Sequence, residues 1–229
     1  MASNPFKTQY TLLSYYGRVN YSFKDRYLFT GTVRNDRTSH FSPGNRSGIF
    51  PAASVAWRIN QEDFLANSTL VSNLKLRGSF GVTGQQDTGA GGDYPYLALY
   101  NVGTGTVRQI FGRDTIQTLR PAGYDSNLKW EQTKTYDAGL DFGFFSNRLT
   151  GSLDFYLRKT SDLLAVIPLP AGNNLTNVLL TNIGNLENKG VELSLNYDVL
   201  RGQRLNWSVN FNATMNRGKI TKLSQGGRP

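Results

Sequence analysis

Cysteine is absent from the 229 residues, so disulfides, thiolate metal sites and cysteine nucleophiles are excluded. Histidine occurs once, at His40, in a loop rich in Ser, Arg and Gly. A Ser-His-Asp triad would depend on that residue alone, and its polar neighbours predict a solvated loop histidine instead. No apolar run approaches the roughly 18 residues of a membrane-crossing helix. The opening Met1-Ala2-Ser3-Asn4-Pro5 has neither the basic region nor the apolar stretch of a signal peptide. That fits a cytosolic protein, or a chain whose true N-terminus lies upstream. Phosphate-cradling loops are missing too, since Gly103-Thr104-Gly105 lacks the Lys and the following helix that such a loop needs. Acidic residues are outnumbered, 16 to 25, for a net charge of +9. The basic residues are scattered rather than gathered in a block or stripe, which argues against nucleic acid as a partner. Asp87 and Asp93 flank the glycine-rich Thr88-Gly89-Ala90-Gly91-Gly92 and could hold calcium loosely, but a flexible link is the better reading. No cofactor or metal is expected.

What the sequence does have is Tyr, Phe and Gly, 12, 13 and 24 of them, a bias toward strands and turns. The dominant pattern has a period of two. Val191, Leu193, Leu195, Tyr197 and Val199 alternate with Glu192, Ser194, Asn196 and Asp198; Leu205, Trp207, Val209 and Phe211 alternate with Asn206, Ser208, Asn210 and Asn212. A helix would spread those polar residues around its circumference, whereas a strand puts them on one face. Weaker copies start at Tyr15, Leu74, Tyr136 and Leu149, and with 26–34 and 50–59 they predict about eight antiparallel strands. Many are near the ten-residue length of membrane strands.

The connections carry more information than the alternation, which soluble sandwiches share. Short links at Lys24-Asp25-Arg26, Ser146-Asn147 and Arg201-Gly202-Gln203, and a middle-length one at 60–72 with a short helical turn near Gln61–Leu65, alternate with long polar stretches at 35–49, 84–128 and 159–183. In an antiparallel sheet this gathers the short turns on one rim and the long loops on the other, as in outer-membrane barrels. Phe23 and Tyr27, Trp57 and Phe64, and Phe142, Phe144 and Phe145 cluster at the short-turn ends, where an aromatic girdle would lie. The predicted fold is therefore all-β: an antiparallel transmembrane β-barrel segment over residues 14–222, with tails at 1–13 and 223–229.

Several blocks resemble the SusC/RagA-type TonB-linked outer-membrane transporters. They are Phe50-Pro51-Ala52-Ala53-Ser54-Val55-Ala56-Trp57-Arg58-Ile59 with Glu62 and Phe64, and Leu74 through Gly84. They continue with Leu128-Lys129-Trp130-Glu131 with Thr133, Asn147-Arg148-Leu149 through Tyr156, and Thr160-Ser161-Asp162-Leu163-Leu164. Asn182-Ile183-Gly184 with Asn188-Lys189-Gly190-Val191-Glu192-Leu193 completes the set. The resemblance implies a 22-stranded barrel around a plug, in the outer membrane of Bacteroidota-type bacteria, importing glycan or peptide fragments. It also implies a SusD-like surface lipoprotein as a lid and the TonB complex as energy source. No plug, TonB box or closing aromatic residue is recognisable in this chain, so the expectation is a fragment of the C-terminal half of the barrel that does not transport alone. A complete eight-stranded barrel serving as anchor or adhesin, with Arg18, Lys75, Arg77, Asp137, Asp141 and Glu192 as its interior network, and a soluble carbohydrate-binding β-sandwich are the alternative readings.

Asp137, Asp141 and Asp154 have the composition of a glycosidase pair but are expected to face Arg18, Arg77 or Arg158 across a polar lumen. No enzyme activity is predicted. Substrate contacts belong on the long loops: Tyr94, Tyr96 and Tyr100 offer aromatic faces, and Asn173 and Asn174 offer amides. Arg34, Arg37 and Arg46 share one predicted loop, placed to meet lipopolysaccharide phosphates beside the outer-membrane lipid.

Overall fold

The computed structural model describes residues 9–89, 92–102, 108–117, 119–170 and 176–223. The chain runs through β1 (Leu12–Phe23), β2 (Tyr27–Thr38), β3 (Ser47–Arg58), a 3-10 turn (Ile59–Gln61) and β4 (Val71–Gln85). Four short strands follow: β5 (Tyr100–Val102), β6 (Arg108–Phe111), β7 (Asp114–Gln117) and β8 (Leu119–Pro121). Then come β9 (Glu131–Phe144), β10 (Leu149–Ser161), the short β11 (Leu164–Pro168) and β12 (Val178–Asn182), β13 (Asn185–Arg201) and β14 (Asn206–Lys222).

The long strands form one 8-stranded sheet in the order β1-β2-β3-β4-β9-β10-β13-β14, every neighbour antiparallel. The short strands pair only among themselves, β5 with β8, β6 with β7 and β11 with β12, inside the long connections. Among the described residues β1 and β14 do not pair, so the sheet does not close as an eight-stranded barrel. Among the described residues the three two-stranded sheets stay within the long connections and leave the apolar face exposed, unlike the layers of a sandwich.

The strands outrun the alternation that marks them. Pairing carries β2 to Thr38 and restarts β3 at Ser47, so the predicted loop 35–49 shrinks to 39–46. Likewise β14 continues past Asn212 to Lys222, and β9 begins at Glu131 rather than near Tyr136. The ladder needs only backbone groups, so it persists where the side-chain pattern turns polar on both faces. The helical turn sits at Ile59–Gln61, just ahead of the predicted 61–65.

Directly opposed residues share a face, so the registers sort every strand into two sets. One face carries Lys75, Arg77, Asp137, Asp141, Asp154, Arg158, Glu192, Asn210 and Asn212, with many Ser and Thr between them. The other carries Tyr15 to Phe23 on β1, Tyr27 to Val33 on β2, Ile49 to Trp57 on β3 and Leu74 to Phe80 on β4, taking alternate residues. It continues with Tyr136 to Phe144, Leu149 to Leu157, Val191 to Tyr197 and Trp207 to Met215 on β9, β10, β13 and β14. No charged side chain interrupts that apolar band.

The apolar face is bare. Trp207 is 56% exposed, Phe155 50% and Met215 78%. Among the described residues the buried apolar ones are elsewhere: Phe41, Phe50, Leu128, Trp130 and Leu180 form a small cluster at the long-loop rim. It forms where β3 and β4 stop pairing beyond Ala52 and Gly81 and the connections fill the gap. Trp130 packs edge-on against both Phe41 and Phe50, at 5.6 and 5.2 Å, and its Nε1–H donates to the Arg46 carbonyl.

Turn chemistry explains the opposite rim. Lys24 and Asp25 are both left-handed (φ 53 and 52), the twist that hairpin turns require. Phe145, Ser146 and Asn147 take the same conformation between β9 and β10. Arg201 then ties two turns together by donating to the carbonyls of Ser146 and Asn147.

Candidate functional site

The polar face is organised around Arg77. Its guanidinium donates to both carboxylate oxygens of Asp141 (2.8–3.1 Å) and reaches Asp154 Oδ1 at 2.7 Å, two strands away, while Lys75 Nζ adds 2.9 Å to Asp141. Arg77 on β4, Gly139 on β9 and Asp154 on β10 lie in one cross-strand row. A Cβ at Gly139 would run into Asp154 Oδ1 and the Arg77 guanidinium, so the glycine opens the path between them. Two of the three predicted carboxylates are thus neutralised by arginine. Arg158 instead lies over the Tyr156 ring at 5.1 Å, and Arg18 donates to Thr32 Oγ1. The geometry is that of a satisfied ionic network lining a wet surface.

At the short-turn rim Glu62 collects three donors. Tyr27 Oη–H (2.7 Å) and Trp57 Nε1–H (2.9 Å) both reach its Oε1, and Arg26 Nη1 reaches Oε2 at 2.9 Å. Tyr27 and Trp57 stack at 6.3 Å with their rings 12° apart. These hydrogen bonds, that from Tyr27 first and that from Trp57 next, hold the Glu62 carboxyl below the usual carboxylate range, against a smaller opposing effect of desolvation. Tyr27 and Trp57, two of the predicted girdle residues, therefore present apolar bodies along the apolar face and polar tips to the rim. Phe64 and Phe145 stand exposed beyond it.

The long-loop rim holds a polar cavity of about 450 Å³ between Tyr10 and His40 on one side and Gln85 to Gly89, Gly92 and Asp93 on the other. His40 is 8% exposed, not solvated as the sequence suggested, because the loop after β4 folds over it. Its ring sits 4.7 Å from Tyr10, and its Nδ1 is 3.1 Å from the Gln86 carbonyl. His40 Nε2 and Gln86 Oε1 are both buried with no protein partner, and both residues line the cavity. Unpaired buried polar atoms of this kind call for water or a polar ligand. Composition gave no hint of them, because they meet across 46 residues of sequence.

Asp93 Oδ2 accepts Gln9 N–H and Asp87 Oδ1 accepts Gly89 N–H, so both carboxylates cap loop backbone. Among the described residues no group of three or more His, Cys, Asp or Glu gathers where a metal could bind. Tyr94 and Tyr96 do come together, edge to face at 6.4 Å, beside this cavity. Tyr94 Oη donates to the Gln9 carbonyl, and Tyr96 Oη accepts from Arg46. Tyr100 stands apart on β5 and is exposed. Asn173 and Asn174 lie outside the described residues.

The three predicted loop arginines do not act together. Arg34 and Arg37 are three residues apart on β2 and so face opposite sides of the sheet. Arg34 pairs with Asp36 at 2.6 Å, and Arg46 donates to the Phe41 carbonyl and Tyr96 Oη.

The loop rim is knitted by residues from separate sequence blocks. Leu164 N–H donates to Glu131, Lys129 N–H donates to Asn182 Oδ1, and Asn182 Nδ2 donates back to the Lys129 and Asp162 carbonyls.

Comparison with known proteins agrees with this geometry. The profile described as TonB dependent receptor-like, beta-barrel matches residues 2–228. The TonB-dependent receptor SusC of Bacteroides thetaiotaomicron is 45% identical over 221 residues, 96% of this chain and 22% of that protein. The TonB-dependent receptor P3 of Formosa agariphila is 37% identical over 99% of this chain and 22% of its own length. The chain thus spans about a fifth of the curated relatives it matches. Among solved structures, the RagAB peptide transporter superposes with a TM-score of 0.83 at 32% identity, over 95% of this chain and 23% of the matched one.

Proposed function

We propose, on the premise that the chain belongs to the TonB-dependent receptor-like β-barrel family, that it forms part of the wall of an outer-membrane importer. The apolar face meets lipid, the Arg77 network lines the lumen, and the long connections face the cell exterior. The observation that carries the reading is the uninterrupted apolar band on all eight strands, set against a charged opposite face. From Tyr136 to Phe144 that band covers roughly 27 Å of strand, or roughly 20 Å of height at the usual tilt of about 40°, near the roughly 25 Å of a membrane barrel. Such a surface in water would exceed any ordinary exposed patch.

Import is driven by the TonB complex, with a SusD-like lipoprotein over the long-loop rim. The cargo is a glycan or peptide fragment. Its contacts include Tyr94, Tyr96 and Tyr100, with Asn173 and Asn174, and the neighbouring His40–Gln86 cavity, whose unpaired nitrogen and oxygen suit the hydroxyls or amides of either cargo. The role is transport, not catalysis.

Uptake of labelled oligosaccharides and oligopeptides by cells carrying the full-length protein tests this. Deleting the gene is expected to abolish uptake of one class, and Tyr96→Ala or Gln86→Leu to reduce it. Undiminished uptake of both classes in the deletion strain would overturn the importer reading. Loss in the deletion but not in either variant would remove the rim site.

A further inference from the structure

The apolar face carries a feature that a uniform lipid contact does not require. On four adjacent strands the position just beyond the last apolar residue, on the long-loop side, is a cation: Lys134 after Tyr136, Lys159 after Leu157, Lys189 after Val191 and Arg217 after Met215. The registers set Lys134 directly opposite Lys159, and Lys189 directly opposite Arg217. Like charges so opposed destabilise a sheet. The one acid at this level, Glu187, pairs with Lys159 at 3.8 Å, and no acid pairs with Lys134, Lys189 or Arg217 among the described ion pairs. Directly below lies an open groove of about 620 Å³, floored by Ala138, Phe155, Leu157, Val191 and Met215 and headed by Lys189 and Arg217. Ala138, a small side chain, faces Phe155 in the same row.

We infer that this groove is a site for lipid A of the outer leaflet, with an acyl chain along Ala138, Phe155 and Val191 and a phosphate between Lys189 and Arg217. The argument is charge complementarity: an anion between the opposed cations turns their repulsion into attraction, and an acyl chain covers the bare groove. The long-loop rim of an outer-membrane barrel faces outward, which places the cations at the headgroups of the outer leaflet. The inference rests on the reading of the apolar face as lipid-facing, and it replaces the Arg34, Arg37 and Arg46 loop as the lipopolysaccharide contact.

The test is photocrosslinking in the full-length protein in its own outer membrane. A photoreactive phenylalanine analogue is placed at position 215, in the groove, or at position 195, mid-band on the same face. The expected result is lipid adducts from both positions, with lipid A dominating at 215. That lipid A adduct should fall about tenfold in the Lys189→Gln, Arg217→Gln double variant, the adduct at 195 being unaffected. A lipid A yield at 215 that ignores the double variant, or a glycerophospholipid as the main adduct there, would overturn the site while leaving the membrane reading intact. Absence of any lipid adduct at 195 would overturn the membrane reading itself.

Discussion

Replacing Gly139 tests whether the lumen-side network is tuned at the level of one hydrogen atom. In Gly139→Ala the new Cβ collides with Asp154 Oδ1 and the Arg77 guanidinium, so the 2.7 Å bond between them must break. The same Arg77 Nη2 also donates to Asp141 Oδ1, so the displaced guanidinium is expected to shift toward Asp141, which it holds through Nε as well. A charge-assisted hydrogen bond contributes about 1.5–3 kcal/mol when well shielded, and exposed pairs about 0–1 kcal/mol. The Arg77 and Asp154 side chains are 32% and 21% exposed, which places this bond between those limits, at about 1.5 kcal/mol. Alanine recovers about 0.5 kcal/mol of backbone entropy that glycine loses, so the net cost is about 1 kcal/mol. The assay is urea unfolding of the full-length barrel in detergent, followed by tryptophan fluorescence, for Gly139→Ala, Asp154→Ala and the double variant. Gly139→Ala should lower the unfolding free energy by about 1 kcal/mol in the wild-type background and have little further effect once Asp154 is Ala. An equal loss in both backgrounds would refute the reasoning, because the cost would then lie in the backbone and not in the ion pair.

Further outcomes follow from the two faces and the turn rim. Leu153→Arg, on the apolar face of β10, should cost about 2–4 kcal/mol and block assembly, whereas Ser152→Arg, one residue away on the lumen face, should assemble normally; equal assembly, scored as the folded fraction in outer-membrane extracts, would contradict the face assignment. The Glu62 carboxyl is held below its ordinary value, so its stabilisation is present above the unfolded value of about 4.3 and is lost as pH falls through the lower folded value. Glu62→Gln should therefore flatten the fall in thermal midpoint between neutral pH and the acid range, with the largest difference from wild type at neutral pH. A Trp57 side chain freed from Glu62 should also shift its fluorescence in that variant.

Most of the sheet is legible residue by residue. Val191 to Val199 and Leu205 to Phe211 alternate so strictly that only a strand puts the polar set on one side. The short turns are marked by charged or amide residues that tolerate left-handed backbone, as at Asp25 and Asn147. Strand ends are less legible, because Met215 gives way to Arg217 and Lys219 on the same face while the hydrogen-bond ladder runs on. The rim cavity is not legible at all. His40 looks like a solvated loop residue until Gln86 and Tyr10 close around it, and nothing local to His40 encodes those partners. The tyrosines at 94 and 96 are legible by type, but only the fold shows Arg46 and Gln9 engaging their hydroxyls.

By itself, then, the sequence determined that this chain makes long antiparallel strands with one oily and one polar side and with its elaborate connections all at one end. That much follows from a two-residue period and from loop length, which are local properties. The tertiary structure decided what depends on register: that Arg77 bridges two strands over a glycine, that Lys189 meets Arg217, and that a lone histidine is buried. Register joins residues tens of positions apart through backbone hydrogen bonds that carry no side-chain signature, so those pairings are set only when the whole sheet assembles.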